Sequence, residues 1–258
     1  MKKVSKQVEP LFVTEFNQDN LYDGSSHKQY WDFFKSFGEY QSEVVDRLLS
    51  DQGHLCAYCE IDIYRREGFG GVQDIGVEHF HPKSSFARNI PWVTKWDNLF
   101  AVCLGGSNAA VHDPEVRYGA PDLTCDKKKE NKILDGLILH PLSVPGTPSL
   151  FTVSRTTGEL GVNEKNCLTS GIAAALVERT ITELNLNSTR LQAARAETLE
   201  IISNALVAQV NMGKTPEEAR QIVARARLTL REGKYFRFFT AVRAYLGNEA
   251  EVVLGLVL

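Results

Sequence analysis

The 258-residue sequence lacks the features of a membrane, secreted or fibrous protein. No apolar run approaches the length of about 18 residues that indicates a membrane-spanning helix. The opening segment MKKVSKQVEP has lysines but no apolar stretch behind them, so we expect no secretory signal. Charged residues make up 24% and apolar residues 43%, which are ordinary values for a globular chain. We therefore expect a cytoplasmic protein with a substantial core and no membrane contact.

The sequence also has no strong charge bias and no even set of cysteines. With 29 basic and 32 acidic residues, the formal net charge is −3, so binding to nucleic acid would need a local basic patch. The five cysteines are an odd number without an export signal, which argues against a disulfide framework. In a reducing compartment such cysteines are metal ligands, catalytic groups or core residues.

Three regions of the chain differ in composition, and they predict an α+β protein. Residues 1–53 are expected to form an N-terminal helical segment. Residues 54–145 hold most of the cysteines and histidines between short apolar runs broken by Gly, Asn and Asp, which is typical of a domain ordered by metal. Residues 146–258 predict a hairpin followed by helices.

Local patterns predict where individual helices lie. Apolar positions recur at three- and four-residue steps in residues 25–50, and Ser25 or Ser26 is suited to cap that helix. Thr215, followed by Pro216 and by Glu218, predicts a helix start with a capping box.

A basic stretch near the C-terminal end has two interpretations. Residues 214–243 carry eight Lys or Arg against three Glu, and aromatic residues follow the arginines. Arg220, Arg227 and Arg231 have the spacing of one helix face. That face binds nucleic acid or a partner, or it is a solvated face above an aromatic stripe that packs in the core. The sequence leaves both interpretations open.

The cysteines predict a structural zinc site. Cys56 and Cys59 form a CxxC pair, in which one tight turn presents two thiolates to a tetrahedral ion. Cys103 and Cys125 complete a set of four, although 21 residues separate them, and Cys167 is left over. A redox CxxC has the same spacing but belongs to a strand–helix–strand unit, which the flanking sequence does not indicate.

Three further segments carry groups suited to catalysis. The segment VEHFHPKS places Glu78 beside His79, and WDNL places Asn98 shortly before Cys103. Asp126 directly follows Cys125 and precedes a run of lysines. A carboxylate pair suits a hard divalent cation, and a histidine suits proton transfer near neutral pH.

Together these motifs resemble the HNH endonucleases, the ββα-metal group of nucleases. The resemblance covers about residues 54–130, through CAYC, EHxxPK, NL and CDxxK. The fuller motifs CAYCE, VEHFHPKS, WDNL and CDxxK are similar to the PtuB-like HNH subunit of Septu-type anti-phage systems. The resemblance implies a zinc-knuckle nuclease core, flanked here by an N-terminal helix and a helical C-terminal region.

The resemblance implies a role for each of these polar residues. His79 is then the general base, and Glu78 and Asp126 hold one Mg²⁺ or Mn²⁺. Asn98 orients His79 from the intervening loop. The last motif position is commonly His or Asn, so Asp126 is a departure that adds negative charge beside the phosphate. Asn108 or His112, inside the split knuckle, is an alternative metal ligand.

The same resemblance implies a nucleic-acid substrate and protein partners. Lys83 and Lys129 would neutralise phosphates. Members act with a PtuA-like ATPase, and relatives occur beside retron reverse transcriptases with their msDNA. DNA is the default substrate, and an RNA such as tRNA is the alternative. A zinc-stabilised scaffold that does not cut and a thiol oxidoreductase on Cys56 and Cys59 are the competing hypotheses.

Overall fold

The computed structural model describes residues 1–24, 26–63, 74–85, 92–108 and 122–255. In chain order the first elements are α1 (Leu11–Asp19), α2 (His27–Ser36), a π-helical turn (Tyr40–Val45), α3 (Asp46–Gln52), β1 (Gly76–His79), a 3-10 turn (Trp96–Asn98), β2 (Leu99–Val102) and α4 (Cys125–Lys129). They are followed by β3 (Phe151–Val153), β4 (Leu160–Val162), α5 (Glu164–Thr169), α6 (Ala174–Glu183), α7 (Thr189–Asn211), α8 (Pro216–Leu228), α9 (Phe239–Leu246) and α10 (Asn248–Gly255). Helices with two small antiparallel sheets confirm the α+β class.

The helix predicted for residues 25–50 is interrupted. Ser26 caps α2 as expected, because its side chain accepts a hydrogen bond from the backbone of the first turn. The helix ends at Ser36, where Phe37 adopts an extended conformation and packs against two rings of α1. Gly38 follows and favours the break. The chain then resumes as the π-helical turn and α3, so tertiary packing of Phe37 overrides the apolar periodicity.

Helix α1 was not predicted from the sequence. It is only nine residues long and buries Phe12, Val13 and Phe16 against α2, where Phe34 stacks on Phe12 at 5.1 Å between ring centres. Apolar spacing of three and four residues was the available signal, but a helix this short is stable only when it is packed.

Strand β1, paired with β2, carries the acidic and imidazole groups on opposite faces. They pair antiparallel, with Glu78 opposite Phe100 and His79 opposite Leu99. All four residues of β2 are buried, so this strand anchors β1 in the core. Neighbouring residues of a strand point to opposite faces, so Glu78 and His79 contact different parts of the molecule.

The C-terminal region confirms some local predictions and corrects one. Strands β3 and β4 form the predicted hairpin, and Thr215 with Glu218 forms the predicted capping box of α8. The expectation that Arg231 shares a helix face with the other two arginines was wrong, because α8 ends at Leu228. Arg227 lies over the ring of Phe236, at 4.7 Å from its centre.

Apolar packing joins the N-terminal helices, the β1–β2 sheet and the hairpin region in one core. A smaller core lies among α7, α8, α9 and α10 and includes Leu55. Buried residues on both sides of residue 145 therefore contact each other, and the three-part division of the chain stays a prediction. Over the described ranges, no helix has the length and apolarity to cross a membrane.

Candidate metal and catalytic site

Four cysteines from three segments meet at one buried point. Cys56 and Cys59 come from the turn after α3, Cys103 follows β2, and Cys125 begins α4. Their sulfur atoms all lie within 4.8 Å of one another. Cys167 lies apart on α5, with its thiol directed at the Leu150 carbonyl. The structure thus brings together the four predicted cysteines and separates the fifth.

The geometry of these sulfur atoms fits a tetrahedral ion. The closest pairs are 3.7 to 3.9 Å apart: Cys59 with Cys103, Cys103 with Cys125, and Cys56 with Cys125. A tetrahedral site with Zn–S bonds of about 2.3 Å needs sulfur atoms about 3.8 Å apart. Burial raises the pKa of the Cys125 thiol, so a cation is needed to hold the set as thiolates. The four cysteines can hold a metal ion.

A second cluster lies beside this knuckle, around Glu78. The Glu78 side chain is buried and its Oε1 pairs with Lys129 Nζ at 2.8 Å. Tyr58, which the sequence analysis did not single out although it lies inside the CxxC turn, donates to the same oxygen at 3.3 Å. The Asp126 carboxyl lies within hydrogen-bonding reach of Glu78. Burial, reinforced by Asp126 and opposed by Lys129, raises the pKa of Glu78 to about 8.

Two carboxyl groups so close together, one of them buried, repel each other when both are ionised. A divalent cation between Glu78 and Asp126 would remove that repulsion, and its preferred ligands are carboxylate oxygens. The donor set therefore fits a hard cation such as Mg²⁺ or Mn²⁺. Lys127 also pairs with Asp126, at 3.5 Å and on the exposed side.

His79 is buried on the other face of β1. Its Nε2 lies 2.8 Å from the Val93 carbonyl, and the edge of its ring contacts Trp31 of α2, with 4.5 Å between ring centres. Because a carbonyl only accepts, Nε2 carries the hydrogen and Nδ1 has the lone pair. Burial and the nearby Lys83 ammonium lower the pKa of His79 to about 3, so the imidazole is neutral in ordinary buffers. The sequence alone had suggested an unperturbed value.

Asn98 does not contact the His79 ring. Its Oδ1 accepts from the His81 backbone N–H at 2.7 Å, and its Nδ2 donates to the carbonyls of His81 and Trp92 at 2.9 and 2.8 Å. Trp92 directly precedes Val93, whose carbonyl accepts the hydrogen bond from the His79 ring. Asn98 therefore fixes the backbone on both sides of the imidazole and acts on His79 only indirectly.

The two predicted phosphate-binding lysines lie in different surroundings. Lys83 is half-buried, and the charges of Asp126 and Glu78 act on its amine. Lys129 is fully buried, between Glu78 and the His79 carbonyl, which accepts from its Nζ at 3.1 Å. A phosphate has no access to Lys129 in this arrangement, so its contact there is with the carboxylate. The reason is that Lys129 lies on the inner face of the short helix α4.

Of the two alternative metal ligands, Asn108 and His112, the structure describes Asn108. Asn108 is half-buried at the end of the described segment after Cys103. His112 lies outside the described residues. Asp126 is the group whose carboxyl reaches Glu78, which favours it as the second carboxylate ligand.

Comparison with known proteins identifies a relative whose name places it among the HNH endonucleases. No family model matches the chain. A protein of Escherichia coli named "Retron Ec83 putative HNH endonuclease" is 36% identical over 223 residues, which cover 79% of this chain and 81% of that protein. Identity at this level across most of both chains identifies common ancestry and a common enzyme class. The chain belongs to the HNH endonuclease family and is a nuclease.

Proposed function

We propose that this chain is a divalent-metal-dependent HNH endonuclease whose ββα-metal core consists of β1, β2 and α4, with a structural zinc ion on the four cysteines. One observation carries the proposal: the charge of Asp126 acts both on the buried Glu78 carboxyl and on the neutral imidazole of His79, whose orientation is fixed. A scaffold that did not cut would need only the cysteines, and a thiol oxidoreductase would need no carboxyl pair.

His79 is the general base in this proposal. With Nε2–H held by the Val93 carbonyl, Nδ1 makes no hydrogen bond to a described residue and accepts the proton of the attacking water. The resulting hydroxide attacks phosphorus, and the bond to the leaving oxygen breaks. Binding of an anionic phosphate raises the pKa of His79 from its low value, which strengthens the base when substrate is bound.

Glu78 and Asp126 are the proposed ligands of Mg²⁺ or Mn²⁺. The ion would stabilise charge on the phosphate and on the leaving oxygen. Lys129 and Tyr58 hold the Glu78 carboxylate in place, through contacts of 2.8 and 3.3 Å. We therefore assign Lys129 to positioning Glu78 and leave Lys83 as the phosphate contact.

The positive surface around Lys83 extends onto α2. Burial lowers the pKa of Lys83, and the ammonium of Lys35, which is exposed on that helix, lowers it further. Lys28 and Asp32 lie on the same helix face, and Asp32 is paired with Lys35 at 2.9 Å. Because Trp31 of this helix contacts His79, a nucleic-acid backbone crossing α2 would reach the imidazole.

The biological setting follows from the relative's name and from the motif resemblance. We propose that the chain is the cutting subunit of a retron or Septu-type anti-phage complex, with a PtuA-like ATPase as partner. DNA is the first candidate substrate and tRNA the second, since water activation and one metal ion hydrolyse either backbone.

The test is a cleavage assay of the chain co-expressed with the ATPase from its own genomic neighbourhood. Plasmid DNA and total tRNA are incubated in parallel with Mn²⁺, with Mg²⁺ or with EDTA. We expect cleavage of one substrate that EDTA abolishes, and the degraded substrate identifies the backbone. If the complex is folded and zinc-loaded but cleaves neither substrate, even under the conditions of phage infection, the scaffold hypothesis would be favoured.

The pH dependence of cleavage should report metal binding and not the titration of His79. The metal must displace the Glu78 proton, which leaves near pH 8 without metal, so activity rises with pH over about 6 to 8. Raising Mn²⁺ tenfold should move this acid limb down by up to about one pH unit, because ion and proton compete. In the chain without substrate, His79 has a pKa of about 3 and does not titrate in this window. An acid limb that does not respond to Mn²⁺ would contradict the assignment of Glu78.

A further inference from the structure

Arg195, on the inner side of α7, is a buried cation that lacks a counter-ion. Its residue is 2% exposed, and its Nη2 donates to the Leu186 carbonyl at 2.5 Å and to Asn187 Oδ1 at 3.3 Å. Its Nε is buried and has no hydrogen-bond partner among the described residues. Within the same ranges no carboxylate forms an ion pair with it. A buried, unpaired charge is costly, so Arg195 requires a compensating group.

The group beside Arg195 is the cysteine cluster. Arg195 and Cys59 line the same small cavity, together with Tyr58 and Glu60. Glu60 is already occupied: Thr240 donates to it from its backbone and its hydroxyl at 2.7 and 2.6 Å, and the Met1 amine lies 3.5 Å away. Burial lowers the pKa of Arg195 to about 10, and the charge that opposes this most is that of a thiolate at Cys59, ahead of Glu60, Cys125 and Glu159.

A metal-filled cluster would supply the missing negative charge. A divalent ion with four thiolate ligands carries a net charge of −2. The sulfur atoms have lone pairs left over, which accept hydrogen bonds from N–H groups. The Nε–H of Arg195, which has no acceptor among the described residues and lines the same cavity as Cys59, is a donor that suits such a sulfur atom.

A second arginine of α7 contacts the segments that carry the cysteines. Arg190 donates from Nη2 to the Thr124 hydroxyl, immediately before Cys125. Its Nε would lie 2.9 Å from a Cβ at Gly106, and Gly106 itself has a φ of +85°. A larger residue at Gly106 would displace the arginine. The segments that follow Cys103 and precede Cys125 therefore both pack against α7.

We propose that Arg195 is the positioning residue and counter-charge of the metal–thiolate cluster, so that metal binding and the docking of α7 stabilise each other. This inference rests on the proposed zinc site. Loss of the ion leaves Arg195 uncompensated in the core, and the first half of α7 then separates from the knuckle. Conversely, loss of Arg195 leaves the charged cluster without this counter-charge.

Equilibrium competition with a zinc chelator tests the first half of this coupling, with Arg195→Gln and the exposed Arg220→Gln as matched variants. We expect Arg195→Gln to bind zinc 10- to 100-fold more weakly, the size of effect typical for groups that support metal ligands. Arg220→Gln should match wild type. Equal affinity of the two variants, within about twofold, would overturn the inference. A wild-type chain that binds no zinc would overturn the zinc site itself.

Hydrogen exchange of the wild-type chain tests the second half and needs no substitution, so it decides the matter if Arg195→Gln does not fold. After zinc is removed, backbone amides of residues 190–199 should lose protection more than those of residues 204–211 at the far end of α7. Protection that is unchanged, or lost equally along the helix, would contradict the coupling.

Discussion

Replacing His79 with alanine should reduce cleavage by at least about 100-fold at saturating metal, because a general base contributes about 10²–10⁴ to the rate. Among the described residues, nothing accepts or donates at Nδ1 of the imidazole, since Val93 holds Nε2–H, so this oriented lone pair can take the proton of the water. Metal binding should survive, because Glu78 and Asp126 are untouched. The measurement is the single-turnover rate on the substrate identified in the cleavage assay.

The matched control is His81→Gln. His81 lies two residues further along the chain, but its ring is held by Asp135 at 2.9 Å and stacks on Trp92 at 4.2 Å between ring centres. Its variant should keep most of the activity. The assignment of the base would be wrong if His79→Ala retained activity within about tenfold of wild type, or if His81→Gln alone abolished cleavage.

Replacing Cys125 with serine should release the structural metal and destabilise the folded chain. Zinc contributes about 10–16 kcal/mol to the folding of small zinc domains. This larger chain has its own apolar core, so we expect a smaller loss of about 5 kcal/mol or more. For a chain of this length such a loss lowers Tm by about 10–20 °C. Metal analysis and circular dichroism on the purified variant would measure both effects.

Cys167→Ser is the control for the cysteine prediction. Cys167 is as buried as Cys125, but its thiol contacts the Leu150 carbonyl, just before β3, and no other cysteine. The Cys167→Ser variant should keep its full metal content. Its free energy of unfolding should fall only by the small amount expected when a buried thiol becomes a hydroxyl. A Cys125→Ser chain with wild-type metal content would contradict the four-cysteine site.

The sequence alone was sufficient to predict the enzyme class, because its short motifs together resemble those of one nuclease family. CxxC in one turn, adjacent Glu78 and His79, and Asp126 directly after Cys125 were sufficient to identify an HNH nuclease. The capping box at Thr215 was equally local, since it involves groups three residues apart.

Only the tertiary structure decided which groups face each other and what charge they carry. Three features depend on contacts between segments that are distant in the sequence. Lys129 points inward to Glu78, and Asn98 holds the backbone and not the imidazole. Helix α2 ends early so that Phe37 packs on α1. The low pKa of His79 and the high pKa of Glu78 likewise come from burial. Local sequence fixes residue type and spacing, whereas orientation and desolvation are properties of the packed chain.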